Sequence, residues 1–190
     1  MHQYRLVALA AILLLVGVSA ANAQNQQRHQ GFWIGFGVGG GVNTSEGVDE
    51  ARRGGGAAYL RLGGTLSQKV LIGGEFIGWG RQDELLGLDT EIVTRGNATF
   101  SLMYFPSSNG GFFLKGGLGA ATVSWTSELL GLRVDRRGFG TTVGLGFDVR
   151  LGGNIYLTPA ADWLIQSFEF EAGENTTNTL FLITLGLIWH

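Results

Sequence analysis

The 190-residue chain contains no cysteine and only two prolines, and charged residues make up 15% of it. Without cysteine there is no disulfide framework, no thiolate metal site and no cysteine nucleophile. Scarce proline beside 33 glycines, with no Gly-X-Y period, excludes collagen and does not fit a disordered linker. Charge is low against the roughly 25% usual for soluble domains. A hydrophobic fraction of 45% is too apolar for disorder. A formal net charge of −2 supplies no basic footprint for nucleic acid. Histidine occurs only at His2, His29 and His190. Beyond the N-terminal segment, no apolar run approaches the ~18 residues expected of a helical span. The length suggests one domain.

Residues 1–23 have the form of a secretory signal. Arg5 gives a positive start, Leu6 to Ala20 is a short apolar run, and Ala21-Asn22-Ala23 is an A-x-A cleavage site. The mature chain is expected to begin at Gln24, with residues 24–30 as a short flexible lead-in.

What the rest of the chain has is alternation. Phe32, Ile34, Phe36 and Val38 oppose Gly35, Gly37 and Gly39; Leu60, Leu62 and Leu66 oppose Tyr59, Arg61, Gly63 and Thr65. Ile72 and Phe76 oppose Glu75, Ile77 and Trp79; Ala98, Phe100, Leu102 and Tyr104 oppose Arg95, Asn97, Thr99 and Ser101. Phe112, Leu114, Leu118 and Ala120 oppose Lys115, Gly117 and Gly119; Val143, Leu145, Phe147 and Val149 oppose Thr142, Gly144, Gly146 and Asp148. Ile155, Leu157, Trp163 and Ile165 oppose Thr158, Asp162 and Gln166. The last segment, Leu180 to His190, sets Phe181, Ile183, Leu185, Leu187 and Trp189 against Leu182, Thr184, Gly186, Ile188 and His190. A period of two means strands with two unlike faces. There are eight such segments, an even number, each about ten residues or more, as a tilted strand needs to cross ~25 Å of hydrocarbon.

The connections alternate too. Ser67-Gln68, Pro106 to Gly110 and Gly152-Gly153-Asn154 have hairpin-turn compositions. Between them lie longer polar stretches: Asn43 to Gly56, Arg81 to Asp89, Thr126 to Gly138, and Glu169 to Asn178. With an even strand count, both termini fall on the short-turn side.

A signal peptide, a final strand ending on the aromatic Trp189, and short turns opposite long loops together resemble the OmpA/OmpX-like family of eight-stranded outer-membrane β-barrels, over residues 31–190. The resemblance implies an all-β, antiparallel up-and-down transmembrane barrel in a Gram-negative outer membrane, non-enzymatic, with a structural, envelope-integrity or surface-adhesion role. The terminal strand, with Phe181, Leu187 and Trp189, would address the outer-membrane insertion machinery. Lipid and lipopolysaccharide would be its surroundings, its loops would face any surface ligand, and it would be a monomer. His190 after the terminal aromatic departs from the family's strict ending, and no periplasmic domain is expected after the barrel. A narrow channel for small or apolar solutes and a soluble lipocalin-like barrel binding an apolar ligand are the alternatives.

Gly35-Phe36-Gly37-Val38-Gly39-Gly40 matches a dinucleotide-loop pattern, but its glycines lie inside a strand with no helix following, so no cofactor is expected. Arg61, Glu75, Arg95, Lys115, Asp148 and Asp162 share the inner parity. Charges inside a narrow barrel must find partners, so these six are expected to form a lumenal charge network. Counting outward from a turn centred on Gln68 places Arg61 opposite Glu75. With His29 and His190 at the chain ends, no catalytic or metal-binding histidine group is expected at one barrel level, and a lipid A hydrolase would be hard to build. Charged residues and the pairs Leu85-Leu86 and Leu129-Leu130 mark the long connections as solvated loops or a ligand surface.

Overall fold

A computed structural model describes residues 29–45, 53–85, 89–127, 132–169 and 175–190. The strands are β1 (Phe32–Ser45), β2 (Arg53–Ser67), β3 (Val70–Leu85), β4 (Asp89–Tyr104), β5 (Phe112–Ser127), β6 (Leu132–Phe147), β7 (Val149–Gly152), β8 (Ile155–Glu169) and β9 (Asn175–Trp189). All pairings are antiparallel and join sequence neighbours, except that β6 pairs with β8 past β7 and that β1 pairs with β9. β6 and β7 are thus one stave interrupted at Asp148, leaving eight staves. β1 pairs with β9 along Ile34↔Trp189 to Ser45↔Asn178, which closes the barrel; among the described strands only the short β7, paired with β8 alone, keeps an unpaired side.

The two parities separate as the alternation predicts. Phe36, Phe76, Phe100, Leu118, Leu145 and Ile183 are exposed on the outer wall. Trp33, Tyr59, Leu71, Phe113, Leu164 and Leu182 are buried inside. An apolar exterior around a packed interior is a lipid-facing arrangement, the inverse of a soluble cup. Interior glycines make room for large neighbours. A Cβ on Gly37 would lie 2.5 Å from Cε1 of Tyr59, the side chain that fills that level.

The β2–β3 turn corrects one detail. The chain reverses at Gln68-Lys69, and a bulge between Thr65 and Ser67 leaves Leu66 without a partner. The extra residue and the displaced turn compensate, so the pairs Gly64↔Ile72 through Gly56↔Gly80 keep the register expected of a turn centred on Gln68. At the β7–β8 turn, Gly153 takes a φ of 53°, the left-handed region in which a side chain is disfavoured.

The described parts of the long connections are strand. Arg81↔Val93 to Leu85↔Asp89 and Thr126↔Arg133 to Ser127↔Leu132 remain paired, within stretches expected to be loop. A 16-residue strand such as β6 is about 40 Å tall after tilting, against ~25 Å of hydrocarbon. Its first six residues, Leu132–Arg137, are exposed at every position. Above the membrane both faces meet water, so the ladder continues while the hydrophobic alternation stops.

Candidate functional site: a lumenal charge cluster and a histidine-aspartate group

β2 and β3 set Arg61 directly opposite Glu75, both on the inner face. Arg61 Nε lies 3.3 Å from Glu75 Oε2. The same carboxylate oxygen accepts from Lys115 Nζ at 2.5 Å. Lys115 in turn lies 2.7 Å from Asp162 Oδ1. Two positive and two negative side chains from four strands thus cross the lumen as one neutral cluster, and all four are buried. The Arg61 guanidinium also lies over the Tyr59 ring, Cζ 3.8 Å from its centroid, a favourable cation–π arrangement.

Gly144 makes the Lys115–Asp162 contact reachable. It stands opposite Lys115 on one side and Asp162 on the other. A Cβ there would collide with Asp162 Oδ1, so the two charged side chains meet over a residue that has no side chain.

Apolar layers lie on both sides of the cluster. Towards the short turns are Trp33, Leu71, Met103, Phe105, Phe113 and Ile188. Towards the long connections are Tyr59, Ile77, Trp79, Leu164, Leu180 and Leu182. A neutral polar group extends the interior: Gln166 Nε2 donates to Asn97 Oδ1 at 2.8 Å, and Asn97 Nδ2 donates to Thr142 Oγ1 at 3.3 Å. The same two amides also donate to backbone carbonyls, Asn97 Nδ2 to Thr141 at 3.1 Å and Gln166 Nε2 to Gly96 at 3.0 Å.

All six inner-parity charges are buried, but they do not form one network. Arg95 has no carboxylate within ion-pair distance among the described residues. Its Cζ lies 5.7 Å from the Trp125 ring centroid instead. Asp148 belongs to the opposite end, where it accepts from Thr158 Oγ1 at 2.6 Å. Parity puts all six inside, whereas their levels depend on the barrel's stagger, which one strand's alternation does not encode.

The expectation that no histidine group could share a barrel level is wrong. His29, Asp148 and His190 converge at the short-turn end, each buried, with one candidate ligand atom from each within 4.8 Å of the others. His190 continues the inner parity of β9 and turns into the lumen, its N–H bonded to the Asn154 carbonyl at 3.0 Å. His29 is clasped by Gln68. Its N–H donates to Gln68 Oε1 at 3.2 Å, and its carbonyl accepts from Gln68 Nε2 at 2.9 Å. Burial pushes the His29 imidazole below its ordinary pKa, opposed by its hydrogen bond to the Gln68 carbonyl. The signal missed was the closing geometry: an even-stranded barrel brings both termini to one end, so two terminal histidines become neighbours.

The terminal-strand residues Phe181, Leu187 and Trp189 all point outward. Trp189 is flanked by Ile34 on β1 and Ile155 on β8. Phe181 packs against Trp163 with ring centroids 4.7 Å apart and the rings tilted by 49°. The predicted signal, and the loop residues Glu46, Asp49, Glu50, Arg52, Leu86, Glu128, Leu129, Leu130, Glu171 and Glu174, lie outside the described residues.

A closed antiparallel barrel with a lipid-facing wall and a filled, charged interior defines an integral membrane β-barrel of the outer-membrane class. The chain belongs to the outer membrane protein beta-barrel domain family, which matches residues 10–188. Among solved structures, Neisserial surface protein A (NspA) is similar with a TM-score of 0.63 at 10% identity, covering 86% of this chain and 99% of that one. Ail, the attachment invasion locus protein of Yersinia pestis, solved with the heparin analogue sucrose octasulfate, aligns with a TM-score of 0.55 at 15% identity, covering 84% and 99%. At these identities the likeness is one of fold. Comparison with curated proteins gives no match.

Proposed function

We propose that this outer-membrane barrel is a non-conducting, non-enzymatic monomer that acts through its outer surface, in envelope integrity or surface adhesion. The observation that carries this reading is the buried neutral quartet of Arg61, Glu75, Lys115 and Asp162, held between two apolar layers. A conducting lumen needs a wetted path, whereas these side chains are packed against one another and buried. What remains available is the exterior, including strands that stand well above the hydrocarbon. Arg133 and Arg137 share the outward parity of Phe139 and Val143, so on β6 they lie just above the lipid-facing band and are exposed. That height suits the phosphates of lipopolysaccharide. The β9 strand ending on Trp189 is the natural address for the insertion machinery, after export and loss of residues 1–23.

Planar-bilayer recording tests the reading. Wild-type protein should show no steady unitary conductance, and Glu75→Ala should show more frequent openings. Ohmic, pore-like conductance from the wild type would refute it.

A further inference from the structure

We infer that His29, Asp148 and His190 form a binding site for Zn2+ or a transition metal of similar preference at the short-turn end of the barrel. One nitrogen or oxygen from each lies within 4.8 Å of the others, and His190 Nε2 is 3.8 Å from Asp148 Oδ2. Bonds of ~2.0–2.2 Å to a tetrahedral ion place ligand atoms about 3.3–3.6 Å apart, so small side-chain rotations complete the set.

The surroundings prepare the ligands. His29 Nδ1 lies 3.1 Å from the Gln68 carbonyl oxygen. A carbonyl only accepts, so Nδ1 must carry the proton, which leaves the lone pair on Nε2. His29 Nε2 is buried and has no hydrogen-bond partner among the described residues, and neither ring nitrogen of His190 has one there. Two buried imidazoles without hydrogen bonds at those nitrogens are costly unless something occupies the space between them. Thr158 holds Asp148 Oδ1 and orients the carboxylate. Rings fix the histidines: Phe105 lies 4.0 Å from His29 and Tyr156 stands edge-on 5.0 Å from His190, centroid to centroid. A first set of ligands, each held by an outer partner, is the usual construction of a metal centre.

The donor set is two imidazoles and one carboxylate. That favours Zn2+, Cu2+ or Ni2+ over Ca2+ and Mg2+, which prefer all-oxygen surroundings. Three protein ligands leave a fourth position for water. The ligands come from the lead-in before β1, from the β6–β7 junction and from the residue after β9. An ion there would tie the two chain ends across the β1–β9 seam that closes the barrel.

The test uses untagged full-length mature protein folded in detergent and stripped with chelator. If the leader is removed with His2, the only histidines are the two in the site, and no cysteine competes. Titration calorimetry with Zn2+ should give one ion per chain. His29→Gln and His190→Gln should each weaken binding at least ~100-fold, and Thr158→Val roughly 10-fold, as loss of an outer partner does. Heat-modifiable gel migration shows whether each variant is folded. Nitrogen-15 spectra of histidine-labelled wild type decide the matter without any variant. Zn2+ should shift Nε2 of His29 while its Nδ1 stays protonated. Unmoved histidine resonances at about 1 mM Zn2+, or stoichiometric binding that survives both folded histidine variants, would overturn the site.

Discussion

Replacing Glu75 by Ala removes the acceptor that two cations share. Lys115 keeps Asp162 at 2.7 Å, but among the described residues Arg61 is left without a carboxylate in ion-pair range. The cluster goes from neutral to one net positive charge in a space from which water is largely excluded. Breaking a buried pair by removing one partner costs about 3–5 kcal/mol. Glu75→Ala belongs near the upper end, because the stranded guanidinium is wholly buried. Asp162→Asn belongs near the lower end, because Lys115 keeps its 2.5 Å contact with Glu75. The two variants should therefore rank, with Glu75→Ala the less stable. The double variant Arg61→Met/Glu75→Leu removes both charges, leaves Lys115 paired with Asp162, and should recover most of the loss. Urea unfolding in lipid vesicles, followed by tryptophan fluorescence and gel migration, measures all three. A Glu75→Ala protein that unfolds at the wild-type urea concentration, or a double variant no better than the single one, would refute the reasoning.

Leu145→Arg places a charge on the lipid-facing wall at a cost of about 2–4 kcal/mol, whereas Ser107→Arg in a short turn should cost close to nothing. Equal folding yields in vesicles would show the face assignment to be wrong. Gly144→Ala should destabilise by roughly 1–3 kcal/mol, because the new Cβ displaces the Asp162 carboxylate from Lys115; the check is its urea midpoint beside that of Asp162→Asn. N-terminal sequencing of protein from outer-membrane fractions should begin at Gln24, and a retained Met1 would exclude the proposed cleavage.

The wall of this barrel is legible in the sequence because it depends on local repetition. A lipid exterior and a crowded interior impose a period of two on every stave, so parity alone separates Leu145 from Gly144 and Phe76 from Glu75. The opposition of Arg61 and Glu75 is nearly as local, since it requires only one hairpin's register. Even the Leu66 bulge leaves it intact. Alternation fails where the environment ceases to differ between faces. Leu132–Arg137 is paired strand with water on both sides, and its composition resembles a loop. Contacts across the lumen are not local at all. Parity cannot tell that Lys115 reaches Asp162 over Gly144, that Arg95 lies away beside Trp125, or that Asp148 faces the opposite end. Those depend on the tilt and stagger with which eight staves close. The same closure brings His29 to His190, 161 positions apart in the chain, with ring centroids 4.7 Å apart. Sequence determined what each strand turns outward. Only closing the cylinder decided which inward groups meet.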